Sequence, residues 1–205
     1  MTRIYATVAL LVVAALVGGT VGLVLVRGTT DRFAVCRATA VAGDTLIGGP
    51  FTLVSETGET VTDADVITEP SLLYFGYTFC PDVCPLDAAR NAVAVDLLDA
   101  TGHSVTPVFI SIDPERDTPE VLADFTANLH PKMLGLTGSL DQVDAASKAY
   151  RTYYRKQPGD PDYYLVDHST FTYLVMPEHG FVEFFRRDLT AEAMAEQVAC
   201  FVDAA

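Results

Sequence analysis

Ser71-Leu72-Leu73-Tyr74-Phe75-Gly76-Tyr77 runs for seven residues with no charged side chain and no polar alternation. A strand with one wet face would show a polar residue at every second position, so this one needs cover on both faces. Val105 to Ile112 (VTPVFISI) repeats the pattern and is closed by Asp113-Pro114. Between the two, Leu86 to Ala100 carries Val93, Val95, Leu97 and Leu98 among good helix formers. Buried strands joined through a helix place the chain in the α/β class.

A second apolar stretch has a different character. No charged residue lies between Ile4 and Val26, a run of 23 in a chain of 205. As a helix it would span about 34 Å, enough for a hydrocarbon core, whereas a signal peptide has a shorter core and a cleavage site close behind it. Ala38-Thr39-Ala40 lies too far downstream, and Phe33-Ala34-Val35-Cys36 is a poor lipoprotein box because Val35 is bulky. The reading is an uncleaved transmembrane anchor over 1–26 and a tether of small and polar residues over 27–45, with cleavage the alternative. A soluble domain then follows over 46–205. Arg3 against Arg27 and Arg32 gives no clear orientation. The chain has 27 acidic and 13 basic residues, so a nucleic-acid backbone is excluded as a partner class.

Within the domain, Pro50–Ser55 and Thr60–Val66 read as strands around Glu56-Thr57-Gly58-Glu59, an added hairpin in front of the core. Thr118-Pro119 opens a helix to about Leu129. Leu134–Leu136 reads as a short strand and Ser139–Tyr154 as a helix. Phe171–Met176 and Phe181–Arg186 form a hairpin, and Thr190 caps a last helix ending near Val202. This order predicts a thioredoxin-like three-layer α/β domain.

Cys80-Pro81-Asp82-Val83-Cys84-Pro85 follows directly on the first buried strand and leads into a helix. Proline suits a first helical position, so the helix is expected to start at Pro85 with Cys84 near the cap. Both sulfurs would then sit in the positive field of a helix start, which favours thiolates. A bridge between them would close almost no loop, which argues against a purely structural disulfide. Dithiol exchange and metal binding both remain open. His168, just ahead of the strand from Phe171, is the candidate third group. Such a histidine is usually structural on its own, but on this topology it faces the dithiol. Two thiolates and an imidazole suit Cu(I) or Cu(II) better than hard cations, and zinc would need a fourth ligand. Asp167 either orients the imidazole or is a plain turn carboxylate. His103, His130 and His179 read as solvated. Asp113 and Asp117 are possible acid ligands, although Arg116 favours a salt-bridged turn.

Phe75 to Pro85, Ser111-Ile112-Asp113-Pro114-Glu115-Arg116-Asp117-Thr118-Pro119 and Asp167-His168-Ser169 together resemble the Sco/SenC family. Gly48-Gly49-Pro50-Phe51 and Leu136-Thr137-Gly138 extend the similarity over about residues 45–202. The resemblance implies a membrane-anchored thioredoxin-fold copper protein facing the periplasm or the mitochondrial intermembrane space. It implies a metallochaperone rather than an enzyme, assisting assembly of the binuclear copper A centre of cytochrome c oxidase, with copper on Cys80, Cys84 and His168. The copper A subunit, other copper chaperones and thiol reductases would be its partners. Cys36 and Cys200 lie outside the family motif; in an oxidising compartment they would pair, and otherwise they are two buried thiols. The rival function is a thiol–disulfide oxidoreductase using Cys80 and Cys84. A peroxidase on this fold relies on a Trp that the chain lacks, and a redox or copper sensor could share the site.

Overall fold

Both apolar runs become adjacent strands at the centre of one sheet. The computed structural model describes residues 2–28, 32–37, 47–160 and 163–205. Strand β3 (Ser71–Gly76) is buried at every position and pairs in parallel with β4 (Thr106–Ser111), Leu73 beside Val108 and Phe75 beside Ile110. Parallel β5 (Leu134–Thr137) lies beyond β4, and antiparallel β8 (Thr172–Met176) flanks the other side of β3. The hairpin partner β9 (Gly180–Phe185) forms one edge. β1 (Thr52–Ser55) and β2 (Thr60–Thr62) complete the other, giving the order β2-β1-β5-β4-β3-β8-β9. This is a mixed α/β sheet with helices packed on it. Leu72, Leu73, Phe75, Phe109 and Ile110 are among its buried side chains, each stabilising by about 1.5–3 kcal/mol relative to exposure.

The helices start where their caps dictate. Thr118, Ser139 and Thr190 each accept a hydrogen bond from a first-turn N–H, opening α4 (Pro119–Ala127), α5 (Leu140–Ala149) and α6 (Ala191–Ala204). Three of the boundaries that differ from the sequence expectation have a clear local cause. The strand expected over 60–66 stops at Thr62, because Thr62 N and Oγ1 both donate to Asp65 Oδ2 and turn the chain into the short α2 (Asp63–Val66). The helix expected to Tyr154 ends at Ala149, and Arg151 takes φ 52°, a left-handed turn that reverses the chain. It then enters β6 (Tyr154–Lys156), which pairs with β7 (Val166–His168) as a separate two-stranded ribbon. Helix α3 (Val83–Ala100) begins two residues before Pro85. Proline is tolerated there because the first four N–H groups of a helix have no partner within it.

The chain divides into two units, Met1–Val35 and Cys36–Ala205. The first contains α1 (Thr2–Gly28), whose described side chains, Tyr5 and residues 10–23, are exposed. Among the described residues no helix is long and apolar enough to cross a membrane. The tether read over 27–45 and the Ala38-Thr39-Ala40 site fall largely or wholly outside the described residues. Within the second unit, Cys36 and Cys200 are joined by a disulfide that spans 164 residues of sequence.

Candidate metal centre

The centre is built at the carboxyl end of β3, where the chain leaves the sheet and enters α3. Cys80 and Cys84 are both free thiols and both buried. His168 arrives from the end of β7. The two sulfurs and an imidazole nitrogen lie within 4.8 Å of one another.

The two cysteines are chemically unlike, which corrects the expectation that the helix start would favour both thiolates. Burial pushes the Cys80 thiol up, but N–H groups of Cys84, Asp82 and Val83 outweigh it and hold Cys80 below the usual thiol value of 9.0. The Cys84 N–H donates to Cys80 Sγ at 3.4 Å. The unpaired N–H groups of the first turn thus face Cys80, not Cys84. Cys84 is completely buried, and burial raises its thiol far above the usual value.

The histidine is oriented by a carbonyl. Its Nδ1 lies 2.8 Å from the Ser169 carbonyl oxygen, which only accepts, so Nδ1 carries the hydrogen and Nε2 the lone pair. Nε2 points at Cys84 Sγ, 3.2 Å away. With the lone pair there, a protonated Cys84 thiol donates to Nε2, and a metal ion held by both atoms would require that proton to leave. Burial lowers the His168 pKa, against the pull of Ser169, Asp87 and Asp167, which keeps the ring neutral and ligand-ready. Asp167 is not the orienting group: its carboxylate accepts from Gln157 at 2.5 Å and pairs with Arg155 at 3.2 Å across the ribbon.

Two tyrosines box the imidazole. Tyr74 and Tyr77 meet the His168 ring edge-on, with centroids 6.3 and 5.8 Å away. The Tyr74 hydroxyl donates to buried Asp87, and Tyr77 accepts the Val166 N–H. Their position flanking Phe75 and Gly76 on the apolar run was the only available signal.

Asp113 and Asp117 are occupied by other partners. Asp117 accepts from Thr78 N, Thr78 Oγ1 and Ser111 Oγ, and Asp113 pairs with Arg116 Nε at 2.6 Å. His130, read as solvated, is buried and lies 3.3 Å from Asp96, and His103 contacts Thr101 and Asp203. Among the described residues only Cys80, Cys84 and His168 form a metal-sized cluster. Three soft or borderline donors, with no fourth ligand among the described residues, fit Cu(I), whose low coordination number would leave the ion open to an incoming ligand.

Known proteins are similar to this chain over the stretch that holds the site. The family model described as SCO1/SenC matches residues 39–203, much the same stretch that carries the motifs. Protein SenC of Rhodobacter capsulatus is 60% identical over 200 residues, covering 97% of this chain and 89% of its own length. The human mitochondrial SCO1 homolog is 43% identical over 160 residues, 77% of this chain but 53% of its own. The chain therefore spans about half the length of that mitochondrial relative. Among solved structures, Arabidopsis thaliana ScoI with copper bound superimposes with a TM-score of 0.73 at 39% identity, covering 77% of this chain and 99% of that one.

Proposed function

This chain belongs to the SCO1/SenC family, and from that premise we propose that it is a copper metallochaperone assisting assembly of the binuclear copper A centre of cytochrome c oxidase. One observation carries the reading: two thiols and a correctly tautomerised imidazole converge within 4.8 Å on a set of donors suited to copper. Copper is cargo in this account. Cys80 and Cys84 would hold it as thiolates and His168 through Nε2, and an acceptor with similar soft ligands would take it by ligand exchange. Mixing the copper-loaded chain with a reduced, metal-free copper A domain should produce the copper A absorption spectrum. A copper-loaded chain that leaves the acceptor colourless after reoxidation contradicts the reading.

The unlike thiols favour a second reading, a thiol–disulfide reductase. The Cys80 thiolate would attack a disulfide of the copper A site or another extracytoplasmic target, and Cys84 would resolve the mixed disulfide. The target would leave with two thiols and the chain would keep a Cys80–Cys84 disulfide. His168→Ala separates the two functions, because only copper handling needs the imidazole.

The anchor belongs to the same proposal. The uncharged sequence run Ile4–Val26, read on its own, supports a single membrane pass. The domain over 46–205 would then stand in the periplasm or the intermembrane space, where the Cys36–Cys200 disulfide persists.

A further inference from the structure

The segment Asp113–Thr118 supplies no ligand to the metal centre, yet its side chains reach every segment that does. His168 stands on a ribbon that is not paired with the seven-stranded sheet. Backbone pairing with the large sheet therefore does not place this ribbon, and side-chain contacts tie it to the segments around the dithiol. Buried Tyr164, just ahead of β7, donates its hydroxyl to Asp113 Oδ1 at 2.5 Å. Asp113 Oδ2 accepts from Arg116 Nε at 2.6 Å. The Arg116 guanidinium lies 3.6 Å from the Tyr164 ring centroid and 4.8 Å from that of Phe79, the neighbour of Cys80. It is also 5.8 Å from the Tyr77 ring, which lies against His168.

Arg116 is an unusual cation in this protein. Its side chain is only 12% exposed, and its Nη2 is buried with no hydrogen-bond partner among the described residues. Aromatic faces surround it instead, an arrangement suited to a planar, weakly hydrated guanidinium. Lysine would keep the charge beside Asp113 but has no flat face to lie against two rings.

We propose that Arg116 is the positioning residue of the metal centre: by bridging Phe79 and Tyr164 it fixes the Cys80–Cys84 turn against the His168 ribbon, and so sets the spacing of the ligand set. The proposal rests on reading Cys80, Cys84 and His168 as the copper ligands. Groups that orient metal ligands typically change affinity by about 10–100-fold when removed.

The test uses the full chain with Arg116→Met and Arg116→Lys. Lys156→Met is the control, since Lys156 Nζ also lies over Tyr164, at 3.7 Å, but is half exposed. In the metal-free protein, amide exchange over 163–168 should accelerate in both Arg116 variants while β3 and β4 stay protected. Cu(I) affinity should fall by about 10–100-fold, and the thiolate-to-Cu(II) absorption band should shift. Lys156→Met should leave all three unchanged. Unaltered exchange and an unaltered band in the Arg116 variants would overturn the proposal, as would an equal response from Lys156→Met. If Arg116→Met fails to fold, Arg116→Lys carries the same test. Should the wild-type chain bind copper without His168, the ligand reading fails, while the metal-free exchange of 163–168 still decides the role of Arg116.

Discussion

Nε2 of His168 lies 3.2 Å from Sγ of Cys84, across 84 residues of chain. The Ser169 carbonyl fixes the lone pair on that nitrogen, and burial keeps the proton on that sulfur. With those assignments the contact is an S–H···N hydrogen bond between two of the three candidate ligands. Loading exchanges a proton for a metal, so binding should release protons.

The unlike thiols give a pH signature. Cys80, lowered from 9.0, contributes stability that is present above that pH and is lost as pH falls through its folded value. Cys84, raised, contributes stability present below pH 9.0 and lost as pH rises through its own folded value. Alkylation of the folded, metal-free chain should therefore modify Cys80 with a midpoint below 9.0 and leave Cys84 intact across that range. Peptide mapping after iodoacetamide treatment reads this directly; equal labelling of the two would be inconsistent with the asymmetry.

Gly76 sits directly behind the centre. A Cβ there would stand 2.7 Å from Tyr74 Cε1 and 3.1 Å from both Cys84 Sγ and Phe109 Cε2. Gly76→Ala should destabilise the domain by about 1–3 kcal/mol through overpacking. Because Cys84 is one of the atoms displaced, Cu(I) affinity should fall as well. Denaturant unfolding and copper competition measure the two effects separately.

Asp117 holds together the strand end that precedes the cysteines. Removing its carboxylate leaves the Thr78 N–H and the Thr78 and Ser111 hydroxyls without their acceptor. Asp117→Ala should cost about 3 kcal/mol, since each buried group left unsatisfied costs about 1–3 kcal/mol. Asp117→Asn, which keeps an acceptor, should cost less. Burial raises the Asp117 pKa, which makes the neutral amide a tolerable substitute. Urea denaturation of the two variants should rank them in that order.

The Cys36–Cys200 disulfide closes a loop with a sequence separation of 164. In the chain-entropy model such a loop contributes up to about 5 kcal/mol. Replacing both residues by serine should lower the denaturation midpoint and leave Cu(I) affinity within a few-fold of wild type. A double variant as stable as the parent would show that the denatured chain is not constrained by this link.

Much of this architecture is legible in the residues. Ser71–Tyr77 declares a strand buried on both faces, and cap residues such as Thr118, Ser139 and Thr190 fix helix starts through local hydrogen bonds alone. The cysteines are visible because the strand, the turn and Pro85 are contiguous. What escapes is what depends on distant partners or on very short elements. Tyr154–Lys156 and Val166–His168 are three residues each, too few to display a period of two, and no glycine or proline marks the reversal at Arg151. Pro85 misleads by two positions because any of the first-turn positions tolerates its missing N–H. His130 looks like a loop histidine beside Pro131, yet its burial is set by packing and its partner Asp96 lies 34 residues away. Ser169 orients His168 with a backbone carbonyl, a role that no side-chain pattern announces.

The central claim is that Cys80, Cys84 and His168 grip one copper ion together. Anaerobic Cu(I) titration against a competing chelator, comparing wild type with Cys80→Ser and His168→Ala, tests it most directly. The account predicts one tightly held ion per chain in the wild type and a loss of at least tenfold in affinity in each variant. Tight binding that survives His168→Ala unchanged would contradict it and leave the dithiol alone as the working part.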